Sequence, residues 1–182
     1  AAVLPTTRLG CDGTAAGVAP RLGLCTACRG RLEPVREPCC ALCNRPLVAA
    51  APPTFACGAC RSRPPALDGL VAGWLYRPPL DAVVRAMKFR RLDHLGLHLG
   101  RHLARQVTRR VERAAGTAAE PFSAVDPVVV PVPLHWRRRL QRGFDQADLV
   151  ARALAAELDL PVAHLLVRRR ATPPQSGLDR AA

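Results

Sequence analysis

The chain has 182 residues, 49% apolar and 23% charged, and its 27 basic against 14 acidic residues give a formal net charge of +13. This composition excludes a mostly disordered chain, and no apolar run approaches the roughly 18 residues of a membrane-spanning helix. We therefore expect a soluble chain, one ordinary domain plus a small appendage. All basic residues except Lys88 are arginines, which favours polyanionic partners, either nucleic acid or a phosphorylated small molecule. No targeting segment is recognised, so we expect a cytoplasmic location.

The eight cysteines divide the chain, because all of them lie before residue 61. Two-residue spacing lets both thiolates of a tight turn face one tetrahedral ion, and two such pairs complete a four-cysteine site. We predict that one zinc ion is bound by two successive pairs, Cys40, Cys43, Cys57 and Cys60. A second site would need the remaining pair and the two unpaired thiols, which are Cys25, Cys28, Cys11 and Cys39.

A disulfide framework is the alternative interpretation of clustered cysteines, and a redox pair is another. The repeated spacing and the absence of a recognisable signal peptide favour metal over both. Pro64-Pro65 then predicts a linker. We therefore predict a zinc-ribbon module over residues 1–65 and a second domain over residues 66–182.

The second domain is predicted to alternate strands and helices. Hydrophobic periodicity and turn residues predict, in order, a strand at 69–76, a helix from Pro79 to Phe89, a helix from Asp93 to Gly116, a strand at 126–133, a helix at 145–158 and a strand at 161–167. The β-branched run at 128–132 predicts a strand buried on both faces, as in parallel sheets. We therefore predict an α/β fold with an open parallel sheet, whose ligands lie beyond the carboxyl ends of the strands.

A basic loop follows the strand that ends near Val132. Arg137, Arg138 and Arg142 lie there, just before a helix whose free N–H groups could also face an anion. The alternative is that these arginines form a solvated surface. A second basic run, Arg168–Arg170, follows the next strand, and the two loops could close around a polyphosphate.

Other polar residues allow two interpretations each. Lys88 ends a predicted helix, where it could interact with the helix dipole or contact phosphate. The series His94, His98 and His102 could hold a cation, but histidines on a half-buried helix face are the favoured interpretation. Asp145 and Asp148 begin a helix, where carboxylates are favourable without any catalytic role.

Several segments together resemble a known family. They are Cys40-Ala-Leu-Cys43-Asn-Arg-Pro-Leu, Cys57-Gly-Ala-Cys60, Tyr76-Arg-Pro-Pro-Leu, Met87-Lys88-Phe89, Val130-Pro-Val-Pro-Leu, Arg142-Gly-Phe-Asp-Gln-Ala and Arg168-Arg-Arg-Ala-Thr172-Pro-Pro-Gln175. In order and spacing they resemble the ComF family, phosphoribosyltransferase-like competence proteins with an N-terminal double zinc ribbon. The resemblance covers nearly the whole chain, from about Cys11 to Arg180.

The resemblance implies a type I phosphoribosyltransferase fold that binds phosphoribosyl diphosphate with Mg²⁺. The residues nearest diphosphate would be Lys88, Arg137, Arg138 and Arg142, and a flexible loop would contain Arg168, Arg170, Gln175 and Arg180. This sequence departs from the family at Arg8, where a leading cysteine of the first zinc site is expected. The family's signature, a hydrophobic strand with two acids and a Thr-Thr-Gly turn, is expected after Arg180. We therefore expect a C-terminally incomplete domain with an exposed apolar edge, and transferase activity only in a chain that carries the signature.

Three functions are compatible with these features. The first is a ComF-like phosphoribosyltransferase domain protein that binds phosphoribosyl diphosphate and is linked to DNA uptake and competence. The second is a non-catalytic zinc-ribbon protein that binds single- or double-stranded nucleic acid, although Trp136 and Phe144 are among few aromatic side chains available for base stacking. The third is a zinc-stapled module that docks onto proteins of the competence machinery.

Overall fold

The computed structural model describes Leu9, Val18–Ala19 and residues 22–114 and 126–172. Its elements in chain order are β1 (Val18–Ala19), β2 (Leu24–Cys25), α1 (Thr26–Gly30), α2 (Gly58–Ser62), α3 (Leu80–Phe89), α4 (His94–Ala114), α5 (Trp136–Arg142) and α6 (Gln146–Leu158). No helix in these ranges is both long and apolar enough to cross a bilayer.

Two of the Cys-x-x-Cys pairs lie at the N-terminal end of a short helix. Cys25 is the N-cap of α1 and Cys57 is the N-cap of α2. The backbone N–H of Cys28 donates to Cys25 Sγ at 3.4 Å. In front of α1, β1 and β2 form a two-stranded antiparallel pair. The Cys-x-x-Cys spacing therefore brings both sulfurs to the start of one helical turn, as the metal-site prediction requires.

The three helices predicted in the second domain are confirmed. Helix α3 ends at Phe89 and buries Leu80, Val83 and Met87, the apolar positions at helical spacing. Helix α4 begins at His94, whereas its predicted end at Gly116 lies outside the described residues. Helix α6 begins after Asp145, whose side chain accepts the Ala147 N–H at 3.0 Å. Helix α4 packs along α6 and also touches α3.

The described residues do not form the predicted parallel sheet. Parallel pairing is limited there to one bridge between Val129 and Val162, in which Val129 donates to the Pro161 carbonyl at 2.8 Å and accepts from Ala163 at 2.9 Å. The segment predicted as the first strand forms one antiparallel bridge, between Trp74 and Pro34.

The expectation of a strand buried on both faces is wrong for residues 126–133. Val128 is 46% exposed and Val132 is 68% exposed. Burial on both faces requires a paired strand on each side and a covering layer on each face, and this segment pairs with a single neighbour within the described part of the chain. Leu165, Leu166 and Val167 of the neighbouring segment are also exposed. Both segments therefore carry exposed apolar side chains.

Among the residues that the structure describes, the buried apolar side chains form two clusters. The larger one joins the N-terminal part, through Leu24 and Cys28, to α3 and α4, through Val83 and Leu95. The smaller one consists of Cys40, Cys57 and Cys60 with a few partly buried neighbours, among them Leu42, Cys43 and Leu47. The predicted boundary at residue 65 thus separates the smaller cluster from the second domain, whereas the larger cluster extends across it.

Candidate metal centre and basic sites

Four cysteines converge to form a candidate metal centre. The sulfur atoms of Cys40, Cys43, Cys57 and Cys60 all lie within 4.8 Å of one another. The Sγ atoms of Cys43 and Cys57 are 3.8 Å apart, and a tetrahedron with Zn–S bonds of about 2.3 Å has edges of about 3.8 Å. The ligand type, number and spacing therefore fit a structural zinc ion. These are the four residues that the sequence predicted.

The pKa values of Cys40 and Cys60 also favour a cation. Burial raises the pKa of Cys40, but N–H groups of Cys43 and Cys57 donate to its sulfur and lower the pKa to about 6. Contact with the Cys43 thiol and burial raise the pKa of Cys60 to about 12. The site therefore resists carrying several thiolates by itself, and a divalent ion would compensate that charge on binding.

The second predicted metal site is not assembled from the described cysteines. In the part of the chain that the structure describes, the four-cysteine cluster is the single group of three or more such ligands. Cys25, Cys28 and Cys39 therefore do not form one, and Cys11 lies outside the described residues. The Cys39 thiol donates to the Arg36 carbonyl at 3.0 Å, and burial together with Glu37 raises its pKa. None of the seven described cysteines forms a disulfide.

The predicted diphosphate residues lie on two helices whose C-terminal ends meet. The Arg142 guanidinium at the end of α5 lies 5.4 Å from the centre of the Phe89 ring at the end of α3, next to Lys88. Arg91 Nε donates to the Arg142 carbonyl at 3.3 Å. Gly143 ends α5 with φ of +82°, a conformation that favours glycine. The C-terminal end of α3, which contains Lys88, is thereby brought against the C-terminal end of α5.

The second basic loop reaches the same helix. Arg138 Nη2 donates to the Thr172 carbonyl at 2.6 Å, and Arg168 donates to the Thr172 hydroxyl. Arg137 is exposed, and its guanidinium lies 5.2 Å from the centre of the Trp136 ring. Arg170 is also exposed, whereas Gln175 and Arg180 lie outside the described residues. The two arginine-rich segments therefore contact each other through Arg138 and Thr172.

The helix N-termini near this site are less open than predicted. The segment expected to be a loop contains α5, whose N-cap His135 accepts the Arg137 N–H at 3.3 Å through Nδ1. Asp145 caps α6 and also accepts the Leu134 N–H at 2.8 Å. Asp145 therefore has a structural role, as the sequence favoured. Anion binding here depends on the guanidinium groups, because side chains of the chain itself already occupy N–H groups of both helices.

The three histidines of α4 lie at exposed or half-buried positions, as the favoured interpretation of the sequence predicted. The His102 ring stacks on Trp74 with centroids 3.5 Å apart, and its Nε2 lies 3.3 Å from the Gly73 carbonyl. His94, about two turns earlier on the helix, is exposed. The arginines of α4 are not among the residues predicted from the sequence to be functional, although Arg101, Arg105, Arg109 and Arg113 recur at every fourth position.

Comparisons with known proteins give a consistent set of relatives. The chain is 34% identical over 157 residues to DNA utilization protein YhgH of Salmonella typhimurium, which is 86% of this chain and 64% of that protein. It is 31% identical over 157 residues to Competence protein F of Haemophilus influenzae and 30% identical over 154 residues to DNA utilization protein YhgH of Escherichia coli K12.

These alignments cover most of the chain but less than two thirds of the length of each of these relatives. No family model and no solved structure matches the chain. The aligned length of 157 residues exceeds either of the two predicted domains, so the similarity extends over both the cysteine-rich part and the helical part. These similarities support the assignment of the chain to the ComF family.

Proposed function

We propose that the chain takes part in DNA uptake or utilisation, and that its basic site binds the diphosphate of Mg²⁺-phosphoribosyl diphosphate. The first part follows from the names of its relatives, which refer to competence and DNA utilisation. The second part follows from the family resemblance and from one structural observation. Segments distant in sequence contact one another at the basic site, since Arg142 lies over the Phe89 ring and both Arg138 and Arg168 donate to Thr172.

The electrostatics of Arg142 support an anion at this position. Burial and the neighbouring Arg138 lower the pKa of Arg142, and Asp145 compensates in part. The carboxylate of Asp145 is already occupied by the N–H groups of Leu134 and Ala147. The single carboxylate of Asp145 does not neutralise both Arg138 and Arg142, so positive charge remains for an anion to compensate. A guanidinium group donates two parallel hydrogen bonds, which match the oxygens of a phosphate.

Binding of this kind is also what a phosphoribosyl transfer would use. The arginines would hold the diphosphate in place and stabilise its charge as it leaves an oxocarbenium-like sugar. Mg²⁺ enters with the substrate, as the counterion of the diphosphate. Transfer itself is proposed for a chain that carries the family's acidic and Thr-Thr-Gly signature.

The test is calorimetric titration of Mg²⁺-phosphoribosyl diphosphate into the wild-type chain and into R138Q/R142Q. We expect binding that Mg²⁺-pyrophosphate competes for, and at least about tenfold weaker binding in the variant, since each charge-assisted bond is worth about 1.5 to 3 kcal/mol. R85Q/R152Q is the matched control, because it also removes two helical arginines, which pair with Asp81 and Asp148. Zinc content and thermal melting establish that each variant is folded. Absence of binding to wild type, or equal binding by both variants, would refute the diphosphate site.

A second candidate function is nucleic-acid binding. The observation in its favour is the net charge of +13, together with the arginine series on α4. Binding through several phosphates weakens steeply as salt rises, whereas the diphosphate site predicts dependence on Mg²⁺. Oligonucleotide titration at several salt concentrations tests this function directly.

A further inference from the structure

One face of α4 lines two cavities that follow one another along the helix. The first has a volume of about 430 Å³ and is lined on the helix by His98, Arg101, His102 and Arg105. The second has a volume of about 290 Å³ and is lined on the helix by Gln106, Arg109, Arg110 and Arg113. Most of these positions are separated by three or four residues, so they share one helix face.

The opposite face of α4 is occupied by α6. Gly96 and Gly100 lie against Leu149 and Val150 of that helix. Helix α6 reaches the cavity-lining face only through Glu157 at the first cavity, and that face looks towards the N-terminal part. There, Arg29 and Trp74 contribute to the wall of the first cavity, and Arg36 contributes to the wall of the second.

We call the surface formed by the two cavities the α4 groove. Seven arginines line it, against two glutamates, Glu37 and Glu157. Both glutamates are engaged, because Glu37 pairs with Arg113 at 2.6 Å and Glu157 pairs with Arg101 at 3.0 Å. The groove therefore carries a strong excess of positive charge.

Two of the arginines form hydrogen bonds between α4 and the cysteine-rich part. Arg110 Nη2 donates to the Ala41 carbonyl at 2.7 Å, and Arg113 reaches Glu37. In the wall of the second cavity, the Ala72 N–H also donates to Asn44 Oδ1 at 2.7 Å. The two arginine contacts hold α4 against the cysteine-rich part.

Arg105 and Arg109 lie in the middle of the row of arginines on α4. Both are exposed, and neither forms an ion pair with any described residue. Both lower the pKa of His102, which lies on the same helix and lines the first cavity. They are therefore the cations most available to a ligand.

The row has the length and spacing of a repeating anion. Arg101, Arg105, Arg109 and Arg113 are separated by four residues, or about 6 Å, and the row spans about 18 Å. A stacked nucleic-acid strand carries a phosphate every 3.4 Å or so along its axis, so about five phosphates match that length. A single diphosphate would need convergent cations instead of a line.

We propose that the α4 groove binds the phosphodiester backbone of a nucleic-acid strand. This site is separate from the diphosphate site at α3 and α5. The proposal rests on the nucleic-acid-binding candidate function and adds to it the binding surface. It assigns phosphate contacts to Arg105 and Arg109 first and to Arg36 at the opposite wall.

The experiment is fluorescence anisotropy with a labelled oligodeoxythymidine of about 15 nucleotides, titrated with wild type, R105Q/R109Q and the control R85Q/R152Q over a range of salt. For wild type we expect binding whose logarithm falls linearly with the logarithm of salt concentration. R105Q/R109Q should bind at least about tenfold more weakly and show a slope smaller by about 1.4, at roughly 0.7 per phosphate contact. R105K/R109K keeps the charge and should retain most of the affinity, which excludes misfolding as the cause.

Each outcome has a distinct meaning. If wild type binds the oligonucleotide and R105Q/R109Q matches R85Q/R152Q in affinity and slope, the α4 groove is refuted while nucleic-acid binding stands. If wild type binds neither this oligonucleotide nor an RNA of the same length, both are refuted, and the diphosphate test is unaffected. Loss of DNA or RNA binding confined to R105Q/R109Q supports the groove. Competition by an acidic polypeptide but not by unlabelled nucleic acid would also overturn it.

Discussion

Gly100 of α4 approaches Val150 of α6 so closely that a β-carbon at residue 100 would lie 2.5 Å from the Val150 carbonyl oxygen. The same β-carbon would lie 2.6 Å from the β-carbon of Ala153. One turn earlier, a β-carbon at Gly96 would lie 2.9 Å from that of Leu149. The two glycines at this spacing therefore set the distance between the helices, and through it the orientation of the arginine face of α4.

Gly100→Ala should destabilise the protein despite the higher helix propensity of alanine. The added methyl group meets backbone of α6, which cannot move aside as a flexible side chain would, and overpacking of this kind costs about 1 to 3 kcal/mol. Urea denaturation measures the loss. Gly30→Ala is the matched control, because a β-carbon at residue 30 would have no atom within 4 Å among its surroundings, and its free energy of unfolding should stay within about 1 kcal/mol of wild type. Equal stability of the two variants would contradict the close approach.

Asp145→Ala should lower stability without affecting zinc content. The Asp145 carboxylate caps α6 through the Ala147 N–H and holds the preceding segment through the Leu134 N–H. Loss of a cap costs about 1 kcal/mol, and the second hydrogen bond adds to that cost. Asp68→Asn, at an exposed position, is the control and should be neutral. A melting temperature for Asp145→Ala equal to that of the control would show that the two N–H groups find other partners.

Cys40→Ser/Cys43→Ser should remove one zinc equivalent per chain, because it leaves two of the four converging sulfurs. Metal content by elemental analysis is the measurement, and added chelator should lower the melting temperature of wild type but not of the variant. Cys39→Ser is the control and should keep that zinc ion, because its thiol donates to the Arg36 carbonyl. An equal loss of zinc from Cys39→Ser would make Cys39 a ligand.

Local patterns in the sequence were sufficient to predict α3, α6 and the metal centre. Apolar spacing located α3 and α6 to within one residue at most of their ends, and Cys-x-x-Cys spacing identified all four converging sulfurs. Both depend on residues a few positions apart, where side-chain geometry follows directly from the backbone.

Features that depend on distant segments were not predictable in the same way. A run such as Val128 to Val132 indicates an extended segment, but its burial depends on neighbours elsewhere in the chain, and here both end residues are exposed. Helix α5 was missed because its arginine-rich sequence has no apolar periodicity; a signal was present in His135 before it and Gly143 after it. The α4 groove needs the N-terminal part as its second wall, which helical spacing alone does not reveal.

His102 should titrate below its ordinary pKa of about 6.5, and charge removal at the α4 groove should raise it. Burial lowers the pKa of His102, Arg105 and Arg109 lower it further, and the Gly73 carbonyl acts in the opposite direction. Because the folded state binds this proton less readily than the unfolded chain, the stabilisation from neutral His102 is complete above about pH 6.5 and is lost as the pH falls from there towards the folded pKa. NMR titration of the ring protons should show an upward shift in R105Q/R109Q and none in R85Q/R152Q, whose arginines lie outside the groove. An unchanged pKa in R105Q/R109Q would mean that these guanidinium groups do not act on His102.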